Sequence, residues 1–126
     1  MTLQIISVDP ALVEVEMGVN IDLPAVAVVG VDGGEVIGSG GLAWGGGRAW
    51  IWFKMRRSRP QYAVPIVRAT KRMLRKAVQL GETEVFTPRD ASEAMSRKLL
   101  MTLGFEHYAD EPTASGEMVE VWRWRN

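Results

Sequence analysis

Apolar positions along the chain fall into two kinds of run, short ones that suit strands and longer ones with helical spacing, and the two alternate. Residues 3–8 (LQIISV) form a short apolar run suited to a first strand. Asp9-Pro10 then reads as a helix start, with Asp9 as N-cap and Pro10 at the first helical position of a short helix ending near Met17. Residues 20–24 (NIDLP) read as a connector. Residues 25–55 predict a meander of three strands. AVAVVGVD is continuous and β-branched, as expected of a strand buried on both faces. Asp32-Gly33-Gly34 makes a tight hairpin turn. EVIGSGGLAW returns with glycines in its middle, which marks a bulge or the close approach of another group. After the turn at residues 45–47, RAWIWFKM places Trp50 and Trp52 on one face and Ile51 and Phe53 on the other. Tryptophans so paired pack in cores or on sheet faces more often than they form stacking platforms.

A long amphipathic helix is predicted over about residues 63–80. Val64, Val67, Met73 or Leu74, Ala77 and Val78 make its apolar side, with Arg68, Lys71, Arg72, Arg75 and Lys76 mostly opposite. Pro65 is acceptable only in the first turn, which fixes the start near residues 62–64, and Gly81 ends the helix. A short strand at 82–87 (ETEVFT) and a turn at Pro88-Arg89-Asp90 follow. A second helix at 91–103 ends at Gly104, with Asp90 or Ser92 as its cap. Strands at 105–109 and 117–124 close the chain around a loop at 112–116, the last with Met118, Glu120, Trp122 and Trp124 on one face. The order β–α–β–β–β–α–β–α–β–β indicates a single α/β or α+β layer fold over residues 1–126.

Charge changes the picture more than composition does. The net formal charge is zero, with 15 basic and 15 acidic residues. Yet residues 1–47 hold six acids and no Lys or Arg, and residues 48–80 hold ten bases and no acid. Either the long helix has a solvated basic face, or this stretch receives an anion such as phosphate or nucleic acid. A basic turn feeding a helix start favours the anion site, because free backbone N–H groups and the helix dipole attract negative charge. The absence of cysteine excludes disulfides, zinc thiolates and cysteine nucleophiles. With no signal-peptide pattern and no apolar run of membrane-spanning length, a cytoplasmic protein is expected.

The helix with its ending, Glu93-Ala94-Met95-Ser96-Arg97-Lys98-Leu99-Leu100-Met101-Thr102-Leu103-Gly104-Phe105-Glu106, resembles the GNAT acyltransferase superfamily's pattern of a helix closing on "LGF". The three-strand meander, the long helix ending in Gly81 and the short strand after it fall in that superfamily's order. The resemblance covers about residues 25–124, with room for one early helix where two are usual. The chain looks similar to small divergent members familiar from bacteriophage genomes. It implies a mixed, mostly antiparallel sheet flanked by helices. It further implies transfer of an acetyl group from acetyl-coenzyme A to an amine. The coenzyme would lie in a splay between the strands at 48–55 and 82–87, its pantetheine against the backbone of Phe53, Lys54 and Met55.

The superfamily cradles the coenzyme pyrophosphate in a Gln/Arg-x-x-Gly-x-Gly/Ala loop. This aligns with Gln61, Tyr62, Ala63, Val64, Pro65 and Ile66. Gln61 fits, whereas Val64 and Ile66 replace two small residues and Pro65 removes one N–H. Arg56, Arg57 and Arg59 are then expected to supply side-chain phosphate contacts. Glu93 stands where an Asn often opens the second helix, and Glu93 and Arg97 are expected coenzyme contacts. Many members protonate the leaving thiolate with a Tyr that aligns with Leu100 here. Tyr108 and His107 are the nearest titratable substitutes and the candidate catalytic groups. A His beside a Tyr on a strand also has an ordinary structural reading. Two further functions stand beside the enzyme: a GNAT-like binding or structural module without chemistry, and nucleic-acid binding through the basic helix. The last lacks a recognised motif and sits poorly with a pI near 6.6. An exposed Trp122/Trp124 strand at the end of the sheet would pair across a homodimer.

Overall fold

The glycine-punctuated meander forms as three antiparallel strands. In the computed structural model, which describes residues 3–10, 23–57, 59–89, 97–113 and 115–126, these are β2 (Leu23–Asp32), β3 (Glu35–Gly45) and β4 (Arg48–Met55). An edge strand, β1 (Gln4–Val8), pairs antiparallel with β2. A 3₁₀ turn at Pro60–Tyr62 leads into helix α1 (Ala63–Gln79). Then come β5 (Glu84–Arg89), α2 (Arg97–Thr102), β6 (Glu106–Pro112) and β7 (Met118–Arg125). The seven strands make one mixed sheet, in the order β1-β2-β3-β4-β5-β7-β6, in which only β4 and β5 run parallel. Beyond Pro10, the short helix expected at residues 10–17 lies outside the described residues, as does the first half of the helix expected at 91–103.

Alternation along β4 gives the sheet two buried faces. Ile51 and Phe53 join the α1 residues Ile66, Ala69, Met73, Leu74 and Ala77 in the main core, together with Leu100 and Leu103. Trp50 and Trp52 pack on the other face with Ala43, Phe86 and Val121. Each large side chain so buried contributes roughly 2 kcal/mol. β3 has glycines because the β4 side chains lie directly on its backbone. A Cβ built on Gly41 would sit 2.6 Å from the Trp52 ring, and one on Gly40 would sit 2.6 Å from the Phe53 ring. Both helices stop at the predicted glycines, where Glu82 N–H donates to Ala77 and Phe105 N–H donates to Leu100.

Several expectations are corrected. The buried stripe of α1 runs through Ile66, Ala69, Thr70, Met73, Leu74 and Ala77, so Val64, expected on the apolar side, is 58% exposed. Ile66 enters the core and turns the neighbouring valine outward. The hydroxyl of Thr70 is satisfied inside that stripe by the carbonyl of Ile66. Pro88 and Arg89 continue β5 instead of forming a turn, paired with Val121 and Glu120. Beyond Phe86 the β4 side of this strand has no registered partner, a setting that tolerates a strand proline. The Trp122/Trp124 strand is not at the sheet end. β7 lies between β5 and β6, and Trp122 is buried, so β6 forms that edge. No helix among the described residues is long and apolar enough to cross a membrane.

Gly41→Ala is expected to destabilise the protein by about 2 kcal/mol, because the Cβ collides with backbone and ring at once. Denaturant unfolding followed by tryptophan fluorescence measures this, and an unchanged midpoint would contradict the packing described.

Candidate functional site

β4 and β5 share a single registered pair, Trp50 with Phe86, and no ladder continues toward Met55 and Arg89. The sheet is therefore forked on the side where β4 ends and the chain passes through the basic turn into α1. At the end of β4, Phe53 is in the core, Lys54 is exposed and Met55 is half-buried. The N–H of Arg56 donates to the Ile37 carbonyl at 2.7 Å, which holds the start of the turn against β3. Arg56, Arg57 and Arg59 all project to the surface.

The turn is pinned at its far end by a buried polar pair. Tyr62 is buried and its hydroxyl donates to Asp32 Oδ2 at 2.5 Å. Asp32 is only 3% exposed at the end of β2, and its Oδ1 has no hydrogen-bond partner among the described residues. The Arg57 guanidinium approaches it at 3.9 Å and Glu35 at 3.8 Å. Sequence reasoning missed Asp32, since an Asp in a hairpin turn is ordinarily a solvated turn residue. Beyond the pair, no side chain caps α1 and no acid lies in its first turn. The N–H groups of Tyr62 and Ala63 are taken up by the carbonyls of Arg59 and Pro60, and the positive end of the helix dipole lies beside three cations.

Among the residues aligned with the phosphate motif, Gln61 and Val64 are exposed, Ala63 is half-buried, and Tyr62 and Ile66 are in the core. Tyr62 therefore meets this surface through its backbone, with its hydroxyl committed to Asp32. Glu93 lies outside the described residues. Arg97 lies at the start of α2, where its Nη2 donates to Glu120 Oε2 at 2.6 Å. Glu120 also accepts from the Trp122 indole at 3.0 Å and faces Arg89 at 3.4 Å. The hydrogen bonds from Arg97 and then Trp122 hold its carboxyl at about 2, well below the usual value of 4.5. Arg89 and Glu120 are cross-strand partners at the open end of β5. This acid–base cluster beside the fork gave no signal in the sequence, because its members come from three separate elements.

The two candidate catalytic groups are not brought together. His107 stacks edge-on to Trp122, a main-core residue, and its Nε2 lies 2.9 Å from Asp110 Oδ1. Tyr108, the next residue along the strand, points to the opposite face, within a register shift between His107 and Ala109. There Tyr108 is 43% exposed, edge-on to Phe86 at 5.4 Å, with the guanidinium of Arg123 at 4.7 Å and that of Arg48 at 5.5 Å. Arg48 is itself fixed by a two-pronged bond to Glu111 at 2.7 and 3.1 Å. Both candidates sit level with the closed point of the fork, since His107 pairs with Trp122 and Trp122 with Thr87, the neighbour of Phe86. Leu100, at the aligned acid position, is fully buried in the core. On β4, Trp50 donates its indole N–H to the Gly45 carbonyl at 2.9 Å, whereas the buried Trp52 N–H has no acceptor among the described residues.

The fold as a whole is similar to that of solved acetyltransferases. The chain matches aminoglycoside 6'-acetyltransferase type Ii with a TM-score of 0.58 and 17% identity, over 79% of this chain and 68% of that one. It matches the ribosomal-protein-S18-alanine N-acetyltransferase of Escherichia coli with a TM-score of 0.57 and 15% identity, over 98% and 94%. It matches an IAA acetyltransferase of Bacillus cereus with a TM-score of 0.56 and 13% identity, over 99% and 100%. No protein-family model and no curated protein sequence matches the chain. The protein has the GNAT fold, as the resemblance in its sequence implies.

Two predictions follow from this geometry. Tyr62→Phe leaves the buried Asp32 carboxylate with only a distant guanidinium, and is expected to cost about 1–3 kcal/mol in chemical denaturation. The Glu120 carboxyl is depressed in the fold, so the unfolded chain binds that proton more tightly and the contribution is complete above the unfolded value. Stability should therefore fall as pH drops from about 4.5 toward about 2. Glu120→Gln should flatten that part of the pH–stability curve; an unaltered acid limb would show that the cluster contributes nothing.

Proposed function

We propose that the protein is an N-acyltransferase that moves an acetyl group from acetyl-coenzyme A to an amine, acting in the cytoplasm. The observation that carries this is the fork between β4 and β5 opening beside the uncapped, cationic start of α1, in a chain with the fold of acetyltransferases. Other solved structures matching this chain are enzymes bound to acetyl-coenzyme A or coenzyme A, with TM-scores of 0.57.

The residues present suit such a ligand. Pro65 has no N–H and the Ala63 N–H donates to the Pro60 carbonyl, so the helix dipole and the cations of the turn carry most of the attraction, and the outward position of Val64 leaves the turn accessible. Arg56, Arg57 and Arg59 would take the phosphates, with Gln61 beside them, and Arg97 would face the ligand from α2 with Glu93 as a further contact. The backbone of Phe53, Lys54 and Met55 would pair with the amide-bearing arm of the coenzyme. A backbone N–H at the end of β4 would stabilise the oxyanion that forms when the amine attacks the thioester carbonyl. Most of the acceleration would come from holding amine and thioester together, which supplies several kcal/mol without a dedicated acid. Tyr108 and His107 are the candidate proton carriers, each acting from its own face of β6 and not as a pair.

One observation favours a second reading, in which the fold binds its ligand without chemistry. The aligned acid position is a core leucine, and the substitutes lie level with the closed end of the fork. Binding and turnover separate the two. At about 100 times its Kd, acetyl-coenzyme A adds about 2.7 kcal/mol of stability, which raises Tm by roughly 10 °C for a domain of this size. No shift at millimolar ligand would remove the coenzyme from both readings. A shift without thiol release across a panel of amines would leave the binding module. Changing Arg56, Arg57 and Arg59 together to Ala is expected to weaken coenzyme binding by about tenfold or more in calorimetric titration; unchanged affinity would refute their role.

A further inference from the structure

Away from the basic turn and α1, several arginines are tied to acids. Arg48 holds Glu111, Arg97 holds Glu120, and Arg123 and Arg125 both reach Glu106. The exposed face of α1 is different. Arg68, Lys71, Arg72, Arg75 and Lys76 have no ion-pair partner among the described residues. Their spacing puts them in one stripe along the helix. Four of them, Arg68, Lys71, Arg72 and Arg75, form one wall of a cleft of about 470 Å³ whose floor is Leu3, Ile5 and Pro65. A smaller hollow continues it, between Ile5 and Ser7 on β1 and Arg72 and Lys76 on α1.

The other boundary of this groove is β1, the edge of the sheet, whose outer side pairs with no strand among the described residues. Leu3, Ile5 and Ser7 face α1, and Ile6, 44% exposed, faces the opposite way. We propose that this groove takes an extended segment of a partner protein in which acidic and apolar residues alternate, added to β1 as a further strand. Charge complementarity and the edge together select that occupant. A strand laid against β1 sends every second side chain toward α1, where carboxylates meet the unpaired cations. The intervening side chains lie beside Ile6, where apolar residues are favoured. A nucleic acid would use the cations but neither the free backbone edge nor the apolar floor. The proposal does not depend on coenzyme binding, because it uses β1 and the exposed flank of α1 rather than the fork.

The test uses the full chain and fluorescent nine-residue peptides. One alternates Glu and Val, one has the same composition in two blocks, and one is the alternating peptide N-methylated at every second residue. The alternating peptide is expected to bind in low salt and to weaken as salt rises from about 50 to about 500 mM. Arg68→Glu, Arg72→Glu and Arg75→Glu together, all surface changes, should weaken it by about tenfold or more, since three exposed pairs each contribute a little. A circular-dichroism melt confirms that the variant is folded. The blocked and N-methylated peptides should bind several-fold more weakly. Equal binding of all three would overturn strand addition, and no binding in low salt would overturn the site. Tighter binding of a single-stranded oligonucleotide than of the alternating peptide would assign the stripe to nucleic acid instead.

Discussion

Between β4 and β5 the sheet is held by one parallel pair, Trp50 with Phe86, and the rest of the architecture is arranged around that join. On one side of it an antiparallel meander has β1 to β4 in full register, apart from two shifts in β2. On the other, β5, β7 and β6 make a second antiparallel group. A parallel connection needs a crossover, and α1 supplies it, so the helix start is placed at the divergence of the strands by connectivity alone. Both faces of the join are covered, by the main core under α1 and by the cluster of Trp50, Trp52 and Phe86. The opening therefore does not require a flexible sheet. It is a consequence of packing two rigid antiparallel units edge to edge.

Within that frame, charge is used in two ways. Around the fork, carboxylates are tied down: Asp32 by Tyr62, Glu120 by Arg97 and Trp122, Glu111 by Arg48. Such groups fix the ends of elements from separate parts of the chain, and a buried or bridged carboxylate is costly to leave unpaired. The cations between β4 and the end of α1, by contrast, are mostly without acidic partners among the described residues. The sequence segregates its charges to the same effect, ten bases without an acid across residues 48–80. A net charge of zero thus coexists with a strongly basic flank on one helix.

Much of the fold was legible in the sequence because it is written in local patterns. The alternation in RAWIWFKM assigned Trp50 and Trp52 to one face and Ile51 and Phe53 to the other, as the two clusters have them. Gly81 and Gly104 marked the helix ends, and the glycines of β3 marked a close approach. What escaped was set by distant partners. Pro88 resembles a turn residue until the unpaired flank of β5 is known. Val64 belongs to the apolar stripe by spacing, but Ile66 takes the core position. The placement of β7 inside the sheet depends on a hairpin returning between its neighbours, which no local pattern encodes. The candidate site was legible as a basic turn, and its anchor, Asp32, was not, because burial of a hairpin aspartate is decided by a tyrosine thirty residues away.

The close packing of β4 rings on β3 glycines has a consequence for how the chain can diversify. A Cβ on Gly41 would collide with the Val26 carbonyl as well as meet the Trp52 ring at 2.6 Å, and one on Gly40 would meet the Trp52 carbonyl at 2.5 Å as well as the Phe53 ring at 2.6 Å. A smaller residue at 52 or 53 would remove the ring and leave the carbonyl in place. Both positions are therefore held to glycine by main chain, and no exchange on β4 alone releases them.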